Sequence, residues 1–329
     1  MNYKRVISPS FLESLRSGVL QPIMVRIQED DTLTLALRRD YINIYYRGGN
    51  LLKISEVPQK SGPAIYAPYF NMNYRTGDSP CDLDFPGQIS DSGASKRLVD
   101  KLPTLKYFMD RFFALMRDKS EREFQQLVVR ENNRSGVSHE TDYFIIDIEA
   151  AGIAAGAQFD MLGVRWQDRR RAGSGTLIPV LVEMKYGNQA LTGTSGLREH
   201  LDQMRSLMEN ADTWNNVVQG LQSQLDQLVQ LDLLRFNHSS RNDSLRIDQS
   251  AKPELVFVLA NYNPASTKLL TFLEQVDQAL VQHTKFDLRF HVSCFSGYGM
   301  YRASMLTFGE FKDHVTRLHD AATAKISLR

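Results

Sequence analysis

The chain has 329 residues, of which 42% are hydrophobic and 23% charged, and its formal net charge is +1. This composition excludes an extended disordered chain, allows one large domain or two ordinary ones, and does not support a strongly basic nucleic-acid-binding surface as a property of the whole chain. Two cysteines far apart in sequence, Cys81 and Cys294, exclude a disulfide scaffold and a multi-cysteine zinc module, and suit a reducing cytoplasm.

At the N-terminus, MNYKRVISPSFLESL lacks the long apolar core of a signal peptide. No run of about 18 apolar residues occurs anywhere, so no membrane-spanning helix and no membrane partner is expected. The segment TLTLALRRD alternates in polarity, and YINIYY–RGGN–LLKI reads as two strands about a turn, with Gly48 and Gly49 supplying the positive φ angles of a tight hairpin. Tyr41, Asn43 and Tyr45 share one face of it, to be read as a packed face or, with Arg47, as a surface for stacking bases. Ser55 to Lys96 is rich in Pro, Gly, Ser and Asp and reads as a long loop, with the aromatic residues of YAPYFNMNY packed beneath it.

Leu105 to Met116 has the spacing of an amphipathic helix. A second helix is expected to start at Ser120, which forms a capping box with Glu123 and is followed by the apolar stripe Phe124, Leu127 and Val128. Three strands follow: Tyr143 to Ala150, Phe159 to Trp166 and Thr176 to Tyr186, joined by short glycine-containing connections that imply an antiparallel meander. Helices are expected near 197–208 and 214–236, then a buried strand in KPELVFVLANYNP, a helix in STKLLTFLEQVDQALVQH, a strand in DLRFHVSCFSGY and a terminal helix. The order implies an α/β (mixed α+β) protein: a β-rich portion over 1–98, and a core over 99–329 whose mixed sheet is flanked by helices, with a helical insert near 211–250.

One strand raises a chemical question. VLVEMKYG, Val180 to Gly187, is apolar apart from Glu183 and Lys185, which lie two residues apart and so on one face. Burying a carboxylate and an ammonium costs several kcal/mol unless they are paired or bind something. In an antiparallel meander, Asp160 at the start of one strand lies beside Glu183 and Lys185 at the end of the next, and Glu149 ends the strand before. The helix beginning at Ser120 would bring Glu121 and Glu123 to the same side, so acidic residues from four elements and a lysine gather. Asp160 and Glu183 can share a hard cation such as Mg²⁺, with the backbone carbonyl of Met184 as a further ligand and Glu149 either completing the site or facing solvent. A bound metal lowers the pKa of a water and offsets charge on a phosphate. Lys185 could position that water or help deprotonate it, and the sequence does not separate the two roles.

Asp160 followed by Glu183-Met184-Lys185, on consecutive strands after a helix bearing Glu121, resembles the PD-(D/E)XK nuclease superfamily over roughly Ser120 to Ser293. The resemblance implies a restriction-endonuclease-like core and Mg²⁺-dependent hydrolysis of phosphodiester bonds, with DNA the expected substrate and Mn²⁺ a substitute ion. Catalytic roles then fall to Asp160, Glu183, Lys185 and Glu121. Residue 159 is Phe where the motif's name has proline. Arg198, His200 and Gln203 lie on the following helix, where members place residues that contact phosphate or orient substrate. Arg169, Arg170 and Arg171 are a solvated loop or a grip on the phosphate backbone. The near-neutral charge leaves room for a second copy or a protein partner to add to the grip on DNA. A different class of function is a binding or assembly module that keeps the nuclease fold without turnover. The histidines lack H-x-H and H-x-x-x-H spacing, and no G-x-x-x-x-G-K-[ST] is present, so neither a zinc site nor a P-loop is expected.

Overall fold

The computed structural model describes residues 3–75, 85–115, 120–154, 157–166, 176–187, 197–235, 245–263, 265–275, 285–293 and 297–327. The chain forms two compact units. The N-terminal unit is Lys4–Gly136 with Ser223–Arg235, and the core unit is Met1–Tyr3 with Val137–Gln222 and Phe236–Arg329. The division falls after Gly136, whereas the sequence pointed to residue 98, which lies inside a helix.

In the N-terminal unit, helices α1 (Pro9–Arg16) and α2 (Gln21–Glu29) precede a four-stranded antiparallel sheet. Its strands run in sequence order: β1 (Leu33–Leu37), β2 (Tyr41–Tyr46), β3 (Gly49–Val57) and β4 (Ile65–Tyr69). Both helices were missed in the β-rich reading. Ser8 caps α1 by accepting from the Phe11 N–H at 3.1 Å. The β2–β3 turn uses Arg47 and Gly48, with φ of 49° and 72°, while Gly49 already belongs to β3. Paired left-handed residues match the twist of a two-residue hairpin, so the turn sits one position earlier than the glycines suggested. A Cβ on Gly48 would lie 2.4 Å from the Arg122 carbonyl carbon, so this position needs glycine for space as well as for φ.

The expected long loop contains β4, because Tyr66 and Phe70 bury their rings, and Tyr66 packs 4.7 Å from Phe11. Helix α3 (Ser92–Leu115) starts well before Leu105, its buried stripe running through Leu98, Leu102, Leu105, Phe108 and Met109. Helix α4 (Ser120–Asn133) begins where the capping box placed it. Gln126 ties α4 to the four-stranded sheet, donating to the carbonyls of Thr32 and Tyr45 and accepting from the Gly48 N–H.

The core unit is built on a six-stranded mixed sheet. β5 (Tyr143–Ala154), β6 (Ala157–Trp166) and β7 (Thr176–Tyr186) form the expected antiparallel meander. Helices α5 (Leu197–Glu209) and α6 (Ala211–Gln230, counted in the N-terminal unit from Ser223 on) follow, then the two-residue β8 (Arg246–Ile247) beside β7. β9 (Glu254–Ala260), α7 (Thr267–Gln275), β10 (Asp287–Val292) and α8 (Phe308–Ser327) complete the unit. The main strand order is β10-β9-β7-β6-β5, with β7, β9 and β10 parallel. Every residue of β9 is buried, as a parallel strand covered on both faces requires. Gly163 has a packing reason, since a Cβ there would meet the Phe144 carbonyl oxygen at 2.4 Å. At one end of the strands, Arg165 Nε lies 3.2 Å from Glu254 Oε1 and the Tyr143 hydroxyl donates to Glu254 Oε2 at 2.7 Å. Burial and the Glu254 charge push the Tyr143 hydroxyl far above its ordinary pKa. The other end carries the candidate site.

Candidate active site

β6 and β7 pair in register down to Met161 opposite Val182. One step further, where Asp160 meets Glu183, side chains take over the rungs of the ladder. The Asp160 N–H donates to Glu183 Oε1 at 3.2 Å, and the Met184 N–H donates to Asp160 Oδ2 at 2.8 Å. The two strands are thus held apart by their own carboxylates. This is the carboxyl end of β7, in parallel register with the ends of β9 and β10, the edge at which open sheets place ligand sites.

Glu183 is 1% exposed and Lys185 4% exposed, so the pair in VLVEMKYG is buried rather than a solvated strand end. Lys185 Nζ lies 3.5 Å from Glu183 Oε2. Burial, and then the neighbouring Asp160 charge, raise the Glu183 carboxyl well above the usual carboxylate range, with Lys185 pulling the other way. The third member is His200, 9% exposed, on the first turns of α5. Its Nε2 is 3.1 Å from Lys185 Nζ and its Nδ1 3.2 Å from Glu183 Oε1. Phe159, the residue standing where the motif's name has proline, is buried with its ring 6.4 Å from the imidazole.

Glu149 lies between Ile148, paired with Met161, and Ala150, paired with Phe159, which sets it opposite Asp160 on β5. It holds a left-handed φ of 49°. A non-glycine residue in that region is strained by about 1–3 kcal/mol, and such residues cluster at functional sites. Glu121 and Glu123 belong to α4 in the N-terminal unit, and Glu123 pairs there with Arg47 at 2.9 Å. Of the expected acidic positions, the core unit itself carries Asp160, Glu183 and Glu149. Among the described residues, no group of three His, Cys, Asp or Glu side chains is placed to hold a metal ion. Asp147 is buried and accepts a hydrogen bond from the Tyr3 hydroxyl, a structural role.

Of the expected phosphate contacts, Arg198 is exposed on α5 and Gln203 is half-buried. His200 points inward, away from any role as a surface grip. Its position was legible only in part: Leu201 and Met204 mark the buried stripe of α5, but nothing in the sequence says which strand residues the helix covers. Arg169, Arg170 and Arg171, and the segment 188–196 after the site strand, lie outside the described residues. Among the described residues, no helix is long and apolar enough to cross a membrane.

Comparison with models of protein families, with curated proteins and with solved structures gave no match.

Proposed function

We propose that this protein is a metal-dependent nuclease of PD-(D/E)XK type that hydrolyses phosphodiester bonds, with DNA as the substrate. The observation that carries the reading is the meeting of Asp160 and Glu183 where β6 and β7 part, with Lys185 buried 3.5 Å from Glu183. A hydrolase that used only surface chemistry would have no reason to bury a carboxylate and an ammonium together beside a second, half-buried carboxylate.

The donor set suits Mg²⁺, which takes hard oxygens, is content with one or two protein carboxylates, and fills the rest of its shell with water and phosphate. Asp160 and Glu183 would hold it, each carboxylate already anchored by a backbone N–H of the facing strand. The Met184 carbonyl is a further candidate ligand, and Mn²⁺ would substitute. When bound, the ion supplies a more acidic water and offsets charge on the phosphate. Lys185 directs its ammonium at the attacking water or at a phosphoryl oxygen, and its burial keeps bulk water from screening that charge. Glu149, opposite Asp160, is the next residue of the chain to test as part of the site. Arg198 on exposed α5 is the candidate contact to the phosphate backbone, and a second copy or protein partner would extend the grip on DNA.

The experiment is cleavage of supercoiled, linear and single-stranded DNA with Mg²⁺ or Mn²⁺, comparing the natural protein with Asp160→Ala and Lys185→Ala. Metal-dependent cleavage lost in both variants is expected. Cleavage retained in both overturns the site, and no cleavage by any form on any substrate favours a binding module that keeps the fold without turnover.

A further inference from the structure

The hairpin face that carries Tyr41, Asn43 and Tyr45 divides into a packed part and an open part. Tyr45 is 4% exposed, and its hydroxyl accepts hydrogen bonds from Arg38 at 3.2 Å and from Asn43 at 3.1 Å, so its ring is packed away. Arg47 is also committed, to Asp110 at 2.8 Å and Glu123 at 2.9 Å. Toward β4 the same face opens. Register sets Tyr41 beside Ser55 and Ser55 beside Ala67, and two residues on it sets Asn43 beside Lys53 and Lys53 beside Tyr69. Strand alternation puts these six residues on one face, and Ile42, Ile44, Leu52, Ile54 and Tyr66, all at 1% exposure or less, on the other. Tyr69 is 58% exposed, and Tyr41, Lys53, Ser55 and Ala67 are half-buried. The six include two phenol rings and one ammonium and no carboxylate. Lys53 Nζ lies 4.0 Å from the centroid of the Tyr41 ring.

We propose that this face of the N-terminal sheet is a platform for single-stranded DNA, on which Tyr41 and Tyr69 each stack a base and Lys53 holds phosphate between them. The inference deepens the nuclease reading and rests on it for the choice of DNA. Strand spacing and rise set the Cα atoms of Tyr41 and Tyr69 about 12 Å apart, with the strand that bears Lys53 between them. Every base has a π face, so rings on an open surface bind a single strand without reading its sequence. A base inside a duplex already has both faces covered by its neighbours. In the free protein the ammonium rests over the Tyr41 ring. A base arriving on that ring takes its place, and the ammonium turns to the phosphate, exchanging a cation–π contact for a charge-assisted one. The six residues hold no negative charge to repel the backbone, so the patch supplies locally what a net charge of +1 does not supply overall.

The test is the fluorescence anisotropy of a labelled oligothymidylate single strand titrated with the full chain, without metal so that nothing is cleaved. Tyr41→Ala and Tyr69→Ala are each expected to weaken binding about 5- to 150-fold, the worth of one base–aromatic stack. Tyr41→Phe and Tyr69→Phe keep the ring and are expected to bind like the natural protein. Lys53→Met is expected to reduce the slope of log K against log salt by about 0.7, the value of one phosphate contact on a single strand. Binding of a duplex should be the same in the alanine variants as in the natural protein. Alanine variants that hold the single strand like the natural protein overturn the proposal. Phenylalanine variants as weak as the alanine ones also overturn it, as does an equal loss on the duplex. No binding of the single strand by the natural protein overturns it and turns the open face over to a protein partner. Ring-dependent binding by a chain that cleaves nothing with any metal sinks the nuclease reading and leaves the platform standing, whereas metal-dependent cleavage with ring-independent binding does the reverse.

Discussion

Replacing Lys185 with methionine keeps most of the side-chain volume and removes the ammonium beside Glu183. At 3.5 Å, and with the effective dielectric of about 20 that suits protein sites, the Coulomb attraction lost is about 5 kcal/mol. Breaking one side of a buried ion pair generally costs about 3–5 kcal/mol, because the remaining charge is stranded. The loss is bounded by protonation of the stranded carboxylate. The Glu183 pKa is already raised, so the folded protein holds that proton more tightly than the unfolded chain does. Stability from this group is therefore fullest below the ordinary carboxylate range and lost as pH rises through the raised folded value. The Lys185→Met deficit should accordingly be largest at neutral to alkaline pH and shrink on acidification.

The assay is urea unfolding followed by tryptophan fluorescence. The chain's two tryptophans, Trp166 and Trp214, are buried and both lie in the core unit, so the signal reports that unit. The double variant Glu183→Gln/Lys185→Met removes both charges and should recover most of the loss. A deficit below about 1 kcal/mol, the range of exposed pairs, would refute the reading of Glu183 and Lys185 as a buried, interacting pair. So would a double variant no more stable than Lys185→Met alone.

Further outcomes follow from the same geometry. Mg²⁺ at about 100 times its dissociation constant should stabilise the core unit by about 2.7 kcal/mol, seen as a higher urea midpoint by tryptophan fluorescence. Asp160→Asn should abolish that rise, and a rise that survives the substitution counts against Asp160 as a ligand. In the N-terminal unit, burial pushes the Asp30 carboxyl up, but hydrogen bonds from Lys106 and Thr32 together bring it below its ordinary value. That contribution is present above the ordinary carboxylate pKa and lost as pH falls through the lowered folded value, so amide exchange in α2 and α3 should quicken in that acidic window. Lys106→Met should cost about 1.5–3 kcal/mol at neutral pH and flatten the acid dependence, and an unchanged acid profile would discount the pair. Gly48→Ala should cost more than about 1 kcal/mol in chemical denaturation, given φ of 72° and the 2.4 Å approach to Arg122. A neutral result would show that the turn can rearrange.

Much of the core unit could be read before any coordinates. Short glycine-bearing connections made the β5–β7 meander the simplest arrangement, and that arrangement alone brought Asp160 beside Glu183. The apolar run in β9 announced a strand buried on both faces. Other features resisted because their cause is not local. α1 and α2 are short amphipathic helices whose stripes gain meaning only once the sheet exists. β4 sits in a segment whose Pro, Gly and Ser content looks like loop, yet its alternate residues Tyr66 and Pro68 are buried. The compact unit to which α4 belongs is set by contacts such as those of Gln126, distant in sequence.

By itself, the sequence determined that Glu183 and Lys185 lie on one face of an apolar strand, because strand periodicity sets residues two apart on the same side; that the pair is buried rather than exposed at a strand end came from the structure. It also determined the three-strand meander, since short connections permit few alternatives. Tertiary structure decided the rest. The parting of β6 and β7 depends on carboxylates replacing backbone partners. The left-handed Glu149 depends on its surroundings outweighing the strain. His200 turns inward only because α5 lays that residue over Lys185, and helical periodicity fixes which residues share a stripe but not what the stripe will meet.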